Sequence, residues 1–230
     1  MHGSVSRPLV SVVMAVKDGE RYISQAIDSV FAQTLQNYEL VVVDGGSVDG
    51  SVGIARSYDG VRVVAQRGSG FAGAWNEGIA MTRGELVAFL DSDDCWVPHK
   101  LEAQVGLLET RPEAACAVGL ARFFLEPGHR PPPGFRPSLL KGEFVAYMPG
   151  ALLARRELFE KTIGPFRTDQ AIANDIDWFA RLKDAGITCA VLPEVVIRKR
   201  IHGHNLSLSA PADYNRELVE VLRESVGRTR

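Results

Sequence analysis

Near the N-terminus, Leu9 to Val16 (Leu-Val-Ser-Val-Val-Met-Ala-Val) is almost wholly apolar and rich in β-branched side chains. A run of that length and composition is a strand, and it restricts the fold because the units after it repeat the theme. A helical pattern follows with Ile23, Ile27, Val30 and Phe31 on one face. Glu39 to Val43 is a second buried strand, closed by Asp44-Gly45-Gly46-Ser47, and Ser47 or Asp49 is placed to cap a helix from about Gly50. Val61 to Ala65 is a short strand leading to the glycine-rich Arg67-Gly68-Ser69-Gly70. A helix with Phe71, Trp75 and Ile79 then precedes the strand Glu85 to Leu90. Strand and helix in strict alternation predict an α/β chain with a Rossmann-like, mostly parallel central sheet flanked by helices. Ligands bind such sheets outside the carboxyl ends of the strands. The loops after Val16, Val43 and Leu90 should therefore converge, bringing Lys17-Asp18, Asp44 and Asp91-Ser92-Asp93-Asp94 to one crevice.

The second half is less regular. Pro98 opens a helix with Leu101, Val105 and Leu108 on one face. Arg130-Pro131-Pro132-Pro133-Gly134 suits neither helix nor central strand, so Glu126 to Lys141 is expected as a surface loop. Helices are expected over Arg155 to Lys161 and over Asp175 to Ala185, the latter ended by Gly186. Thr188 to Leu192 is expected as a strand.

The acidic cluster carries the chemistry. Asp91 and Asp93 lie two apart directly after a strand, so in extended backbone their side chains point the same way. Two carboxylates converging without a basic partner repel, and burial worsens the repulsion. A divalent cation resolves it, and hard oxygen ligands favour Mg²⁺ or Mn²⁺ with substrate phosphates completing the shell. The alternative is that the aspartates cap the helix after Pro98, a task that suits Asp94 but needs only one of them.

With 46% apolar and 23% charged residues the composition is that of a globular protein. A net charge of −2 and the absence of a long basic run argue against a nucleic-acid partner, leaving Arg198-Lys199-Arg200 as a local phosphate contact, split between outward solvation and one inward contact. Cys95, Cys116 and Cys189 are widely spaced and form neither a metal pair nor a disulfide framework, which suits a cytoplasmic home. Residues 1–8 lack a signal-peptide core, and no run of roughly 18 apolar residues predicts a transmembrane helix. A peripheral visit to a membrane surface stays open.

In register, these segments resemble the family 2 glycosyltransferases of the GT-A fold, the nucleotide-diphospho-sugar transferase fold. The pieces are Ser11 to Gly19, Val43 to Gly50, Ala74 to Ile79, Phe89 to Asp94, Asn174 to Trp178 and His202 to Ser207, with the resemblance running from about Pro8 to Ser209. It implies a single domain over 1–230, with a nucleotide-sugar half at about 8–95, an acceptor half at about 96–209 and a helical tail over 210–230. It also implies a nucleotide-sugar donor, often UDP-linked, and inversion at the anomeric carbon. Asp44 would meet the uracil, Ala15, Val16 and Asp18 would line base and ribose, and Asp91-Ser92 would reach the donor. Asp93 would ligate the metal, with Asp91 on the ribose or on the metal through water, and His202 would meet the metal or the diphosphate. Asp175 matches the family's catalytic base, needed because an acceptor hydroxyl attacks poorly until it loses its proton. Asp177 competes for that role, but it lies roughly 200° further around the helix, so the two cannot both face an acceptor. Two positions depart from the family pattern: Asn174 stands where a glutamate is usual, and Gly45 where many members have an aspartate.

Several roles stay open. Arg67 reaches donor phosphates or is solvated. Trp75 and Trp178 suit core packing, whereas Trp96 either packs or stacks on a sugar. The acceptor class is unspecified among saccharides, lipid-linked sugars, small molecules and peptides, its choice assigned to the Pro-rich loop and Met148-Pro149-Gly150. A nucleotidyltransferase needs a basic glycine-rich loop after the first strand, and Lys17-Asp18-Gly19-Glu20 is too acidic for that. A non-catalytic nucleotide-sugar binding module is the third alternative.

Overall fold

The computed structural model describes residues 7–203, 205 and 211–228. His204, Leu206 and Ser207 of the last motif lie outside the described residues. The first strand, β1 (Val10–Val16), is buried along its whole length and pairs in parallel with β2 (Tyr38–Asp44) on one side and β4 (Leu86–Asp91) on the other. On the far side of β2 lies β3 (Val61–Ala65), also parallel. The linking helices are α1 (Ile23–Phe31), α2 (Ser51–Arg56) and α3 (Gly70–Met81). Successive β1 side chains feed opposite cores, because strand residues alternate between faces. Val10, Val12, Met14 and Val16 join Ile23, Ile27 and Val30 of α1, while Val13 and Ala15 join Trp75 and Ile79 of α3. Each such aliphatic side chain contributes about 1.5–3 kcal/mol on burial, which is why β1 carries no charge. Ser11, its one polar residue, donates to Glu39 Oε1 at 2.7 Å and accepts from the Gly84 N–H at 2.7 Å.

The remaining elements are β5 (Cys95–Trp96), α4 (Lys100–Thr110), β6 (Ala114–Leu125), β7 (Glu143–Val145), β8 (Leu153–Arg155), α5 (Asn174–Asp184), β9 (Thr188–Ile201) and α6 (Pro211–Arg228). They extend the same sheet in the order β3-β2-β1-β4-β8-β6-β9-β5, with β7 also on β6. Strand β8 is antiparallel to both β4 and β6, whereas β6 and β9 run parallel.

Several expectations need correcting here. Phe31 does not close the apolar face of α1, being 42% exposed against the Tyr58 ring. Neither Ser47 nor Asp49 is the cap residue of α2, which is Gly50, although Asp49 Oδ1 accepts from the Ser51 N–H at 2.9 Å. Arg155 ends a strand instead of starting a helix, and only a π-turn over Leu158–Thr162 follows. The Glu126 to Lys141 loop closes with a 3₁₀ turn at Pro137–Lys141. Strand β9 runs on from Leu192 to Ile201 past Pro193, whose missing N–H is absorbed where the β6 register jumps from Val118↔Val191 to Leu120↔Val195. The predicted end at Gly186 holds, with its φ of +68 supplying the left-handed turn after α5.

Candidate active site

At the carboxyl ends of β1 and β4 opens a cleft of about 750 Å³. One wall is the loop after β1, with Lys17, Asp18, Arg21 and Tyr22, and the floor is Asp91-Ser92-Asp93. The opposite wall is built by Tyr147 to Gly150, by Ala171, Ile172 and Asn174 to Ile176 around the start of α5, and by Lys199 of β9 with His202 and Asn205 just after it. Strand order brings the β1 and β4 loops together as expected for a parallel sheet. Strand β9, bonded antiparallel to the short β5, returns the chain directly over the acidic cluster.

The acidic cluster has a basic partner, contrary to the sequence expectation. Carboxylate oxygens of Asp91, Asp93 and Asp94 lie within 4.8 Å of one another. Lys199 Nζ sits 2.9 Å from Asp94 Oδ2 and 3.7 Å from Asp91 Oδ2. Asp94 is 0% exposed and also accepts from the Arg200 backbone N–H at 2.8 Å, so it ties β9 to the cluster and does not cap the helix after Pro98. Burial pushes its carboxyl up to about 7 against the pull of Lys199, with Asp93 and Asp91 adding to the rise. Burial also raises Asp91, which Lys199 opposes and Asp93 reinforces. Desolvation alone would lower the Lys199 ammonium, but the three carboxylates outweigh it and hold it well above the usual lysine range. Asp93 points the other way: His202 Nε2 lies 2.9 Å from its Oδ2. That imidazole, with Lys199, holds Asp93 below the usual carboxylate range despite its burial. Asn205 Oδ1 accepts from the His202 N–H at 2.7 Å, and the Tyr22 ring stacks on His202 at 5.3 Å.

This donor set fits a hard divalent cation. Three carboxylates against one lysine leave negative charge in excess, and Asp93 and His202 bring an oxygen and an imidazole nitrogen to one point beside Asp91. The carboxylate oxygens are what suits Mn²⁺ or Mg²⁺, and Lys199 lies nearest Asp94, at 2.9 Å against 3.7 Å from Asp91.

Asp175 faces the cluster from the first turn of α5 and lines the cleft, its Oδ1 accepting from the Ile176 N–H at 2.8 Å. Burial raises its carboxyl to about 6, the Ile176 N–H opposing and the Asp91 charge adding. Asp177 turns away from the cleft. It is 0% exposed and pairs with Arg181 Nε at 2.8 Å. The separation around the helix that made the two aspartates rivals thus puts one in the cleft and the other in the core.

The other predicted residues divide. Asp18 and Ser92 line the cleft. Asp18 holds the left-handed region at φ +50, its N–H donating to Ser47 Oγ at 2.9 Å and its Oδ1 accepting from the Val48 N–H at 2.8 Å. Ala15 and Val16 are buried beneath the cleft, and the Val16 carbonyl accepts from the Gly45 N–H at 2.8 Å. Asp44 is nearly buried and accepts from the Gly46 and Ser47 N–H groups at 3.3 and 3.1 Å, outside the cleft lining. Arg67 is exposed and outside the lining too, its N–H donating to Glu77 at 2.8 Å. Trp96 is core, donating to the Gly150 carbonyl at 2.8 Å beneath the Lys100 ammonium, so the sugar-stacking alternative falls. Trp178 is core as expected. Trp75 is packed against Phe89 and Phe166 yet reaches the cleft, and its buried Nε1 has no hydrogen-bond partner among the described residues.

Of Arg198-Lys199-Arg200, two turn inward instead of one: Arg200 is almost wholly buried, donating to the Asp93 carbonyl and to Gln25 Oε1, both at 2.8 Å. The roles of Lys199 and Asn205 were missed. Recognising β9 through Ile201 would have put Lys199 opposite Arg198 and Arg200 by simple alternation. Both segments assigned to acceptor choice reach the cleft, the Pro-rich loop through His129 and the other through Met148 to Gly150.

The signature of glycosyl transferase family 2 matches residues 11–180. The chain belongs to this family. A Rickettsia typhi protein described as an uncharacterized glycosyltransferase is 30% identical over 207 residues, covering 85% of this chain and 64% of that protein. The chain spans less than two thirds of several such curated relatives, a third of one from Nostoc. S. aureus TarS 1-349 in complex with UDP-GlcNAc superposes with a TM-score of 0.75 at 20% identity, over 95% of this chain and 66% of that one. Glucosyl-3-phosphoglycerate synthase from Mycobacterium tuberculosis, in complex with Mn²⁺, UDP-Glc and phosphoglyceric acid, superposes with a TM-score of 0.68 at 24% identity, over 96% and 80%. The shared architecture is the GT-A fold. Among the described residues no helix is long and apolar enough to cross a membrane.

Proposed function

We propose that this cleft transfers a sugar from a nucleotide diphosphate donor, a UDP-sugar, to an acceptor hydroxyl or thiol by a single inverting displacement. One observation carries the reading: Asp175, its carboxyl raised to about 6, faces the same cleft as Asp91, Asp93 and His202. An in-line displacement requires a base and a leaving-group site in one cleft, and Asp175 shares the cleft with the acidic floor. Asp175 takes the proton from the acceptor as its oxygen or sulfur attacks the anomeric carbon, and the bond from that carbon to the diphosphate breaks. Asp177, locked onto Arg181, takes no part. Asp93 and His202, with Asp91 directly or through water, would hold Mn²⁺ or Mg²⁺, which supplies the positive charge that stabilises the departing diphosphate. Lys199 pairs with Asp94, while His202 holds the Asp93 carboxylate. Asp18 and Ser92 line the donor side, and Asp44 acts through Ser47 on Asp18.

The residues at about 8–95 form the donor half and those at about 96–209 the acceptor half, followed by a tail that is helical over Pro211–Arg228. We assign the chain to the cytoplasm, where it meets its donor. The acceptor remains any of the saccharide, lipid-linked, small-molecule or peptide classes. A thermal-shift series of UDP-glucose, UDP-GlcNAc and GDP-mannose, with and without Mn²⁺, tests the reading. A donor at 100 times its Kd stabilises by about 2.7 kcal/mol, and one of the UDP-sugars should do so only with Mn²⁺. No shift with any nucleotide sugar contradicts it.

A further inference from the structure

The helix that carries Asp175 starts without a cap of its own. Its cap position is Ala173, which has no side chain able to accept a hydrogen bond. In the segment just before it, Ala171 and Ile172 line the cleft, and Ala171 to the buried Ala173 carry three successive backbone N–H groups turned to one acceptor. All three are satisfied by one side chain from a distant part of the chain. Glu217, on α6, accepts from the Ala171 N–H at 3.0 Å through Oε1, and from the Ile172 and Ala173 N–H groups at 2.9 Å each through Oε2. It is 6% exposed, and those donors hold its carboxyl below the usual glutamate range against the effect of burial. Little else polar fixes this segment. The side-chain amide of neighbouring Gln170 is buried with no hydrogen-bond partner among the described residues, and Asp177 Oδ1 meets the Arg167 guanidinium at 3.9 Å without a hydrogen bond. Arg167 and Asp184 add peripheral ties from the α5 side, to Glu224 at 2.6 Å and to Ser225 and Arg228 at 2.8 Å.

We propose that Glu217 is a positioning residue for the transfer reaction, acting through the 171–173 backbone to set where Asp175 meets the acceptor. Consecutive N–H groups converging on a carboxylate form a rigid anion nest, and the anion at the start of α5 complements the helix dipole. A displacement of a reacting group by about 1 Å is enough to cost roughly 10²-fold in rate. The part of the chain that supplies this anchor lies beyond the family-matched residues 11–180. The inference rests on the assignment of Asp175 as base.

The test measures Mn²⁺-dependent nucleotide release from whichever of UDP-glucose, UDP-GlcNAc and GDP-mannose the full chain turns over, for Glu217→Gln, Glu217→Ala and Asp175→Asn. Gln keeps the shape but can accept through only one of its two terminal atoms. The expected result is a kcat lowered about 10-fold in Glu217→Gln and about 100-fold in Glu217→Ala, with donor KM within twofold of wild type. If Glu217→Ala does not fold, Glu217→Gln decides alone by the same criterion. Wild-type kcat in a folded Glu217→Gln, or a raised donor KM at unchanged kcat, overturns the positioning role while an inactive Asp175→Asn leaves the proposed function standing. An active Asp175→Asn overturns both.

Discussion

A group that takes a proton during turnover works best when its own proton affinity sits near the working pH. Asp175 meets that condition because burial and the Asp91 charge lift its carboxyl to about 6. Only the ionised form is a base, so kcat should fall about tenfold per pH unit below 6 and level off above it, as a pH profile of nucleotide release will show. The same shift has a stability consequence of defined sign. The folded chain holds this proton more tightly than the unfolded one, so the stabilisation present below about pH 4 is lost as pH rises through about 6. Asp175→Asn is therefore expected to melt higher than wild type at pH 7 while losing about 10²- to 10⁴-fold in rate. Lys199 offers a second test. Removing one member of a buried pair leaves an uncompensated charge, at a cost of about 3–5 kcal/mol, so Lys199→Met should lower the urea midpoint sharply. Adding Asp94→Asn removes the orphaned charge and should restore most of the loss. Asp91 and Asp93 were legible in the sequence because paired acidic residues right after a strand stand out, whereas Asp175 was singled out only through the family resemblance. Lys199 was not legible, since its meaning depends on which face of β9 it occupies.

Elements tell the same story of local against non-local signal. Strands β1, β2 and β4 were readable because each is a short apolar run closed by a polar loop. Strand β6 passed unrecognised, although Ala114 to Leu125 is largely apolar, because small alanines and Gly119 dilute its β-branched character. The short β7 and β8 have no periodicity of their own and exist because β6 and β4 offer them edges. Packing between elements is also invisible locally. Gly78 of α3 rests so close to β1 that an added Cβ would stand 2.2 Å from Val13 Cγ1. Overpacking of that kind costs about 1–3 kcal/mol, so Gly78→Ala should unfold at lower urea, with the surviving folded fraction retaining its metal-dependent donor binding.

Across the whole molecule, the site is shared between two stretches of chain that the sequence presents very differently. The regular βα alternation up to about Cys95 supplies Asp18, Ser92, Asp91 and Asp93. The irregular remainder returns along β9 and α5 to add His202, Lys199 and Asp175. Their convergence could be expected only from the family resemblance, since nothing in the spacing of residues 91, 175 and 202 brings them together. If the acidic floor works through a divalent cation, chelation should abolish nucleotide release and added Mn²⁺ restore it, with Asp93→Ala refractory to rescue. The most direct measurement of the central claim compares Mn²⁺-dependent nucleotide release from a UDP-sugar by the wild-type chain and by Asp175→Asn. The account predicts release by the wild type and at least about 100-fold less by a folded Asp175→Asn that still binds the donor. Equal turnover by the two would contradict it.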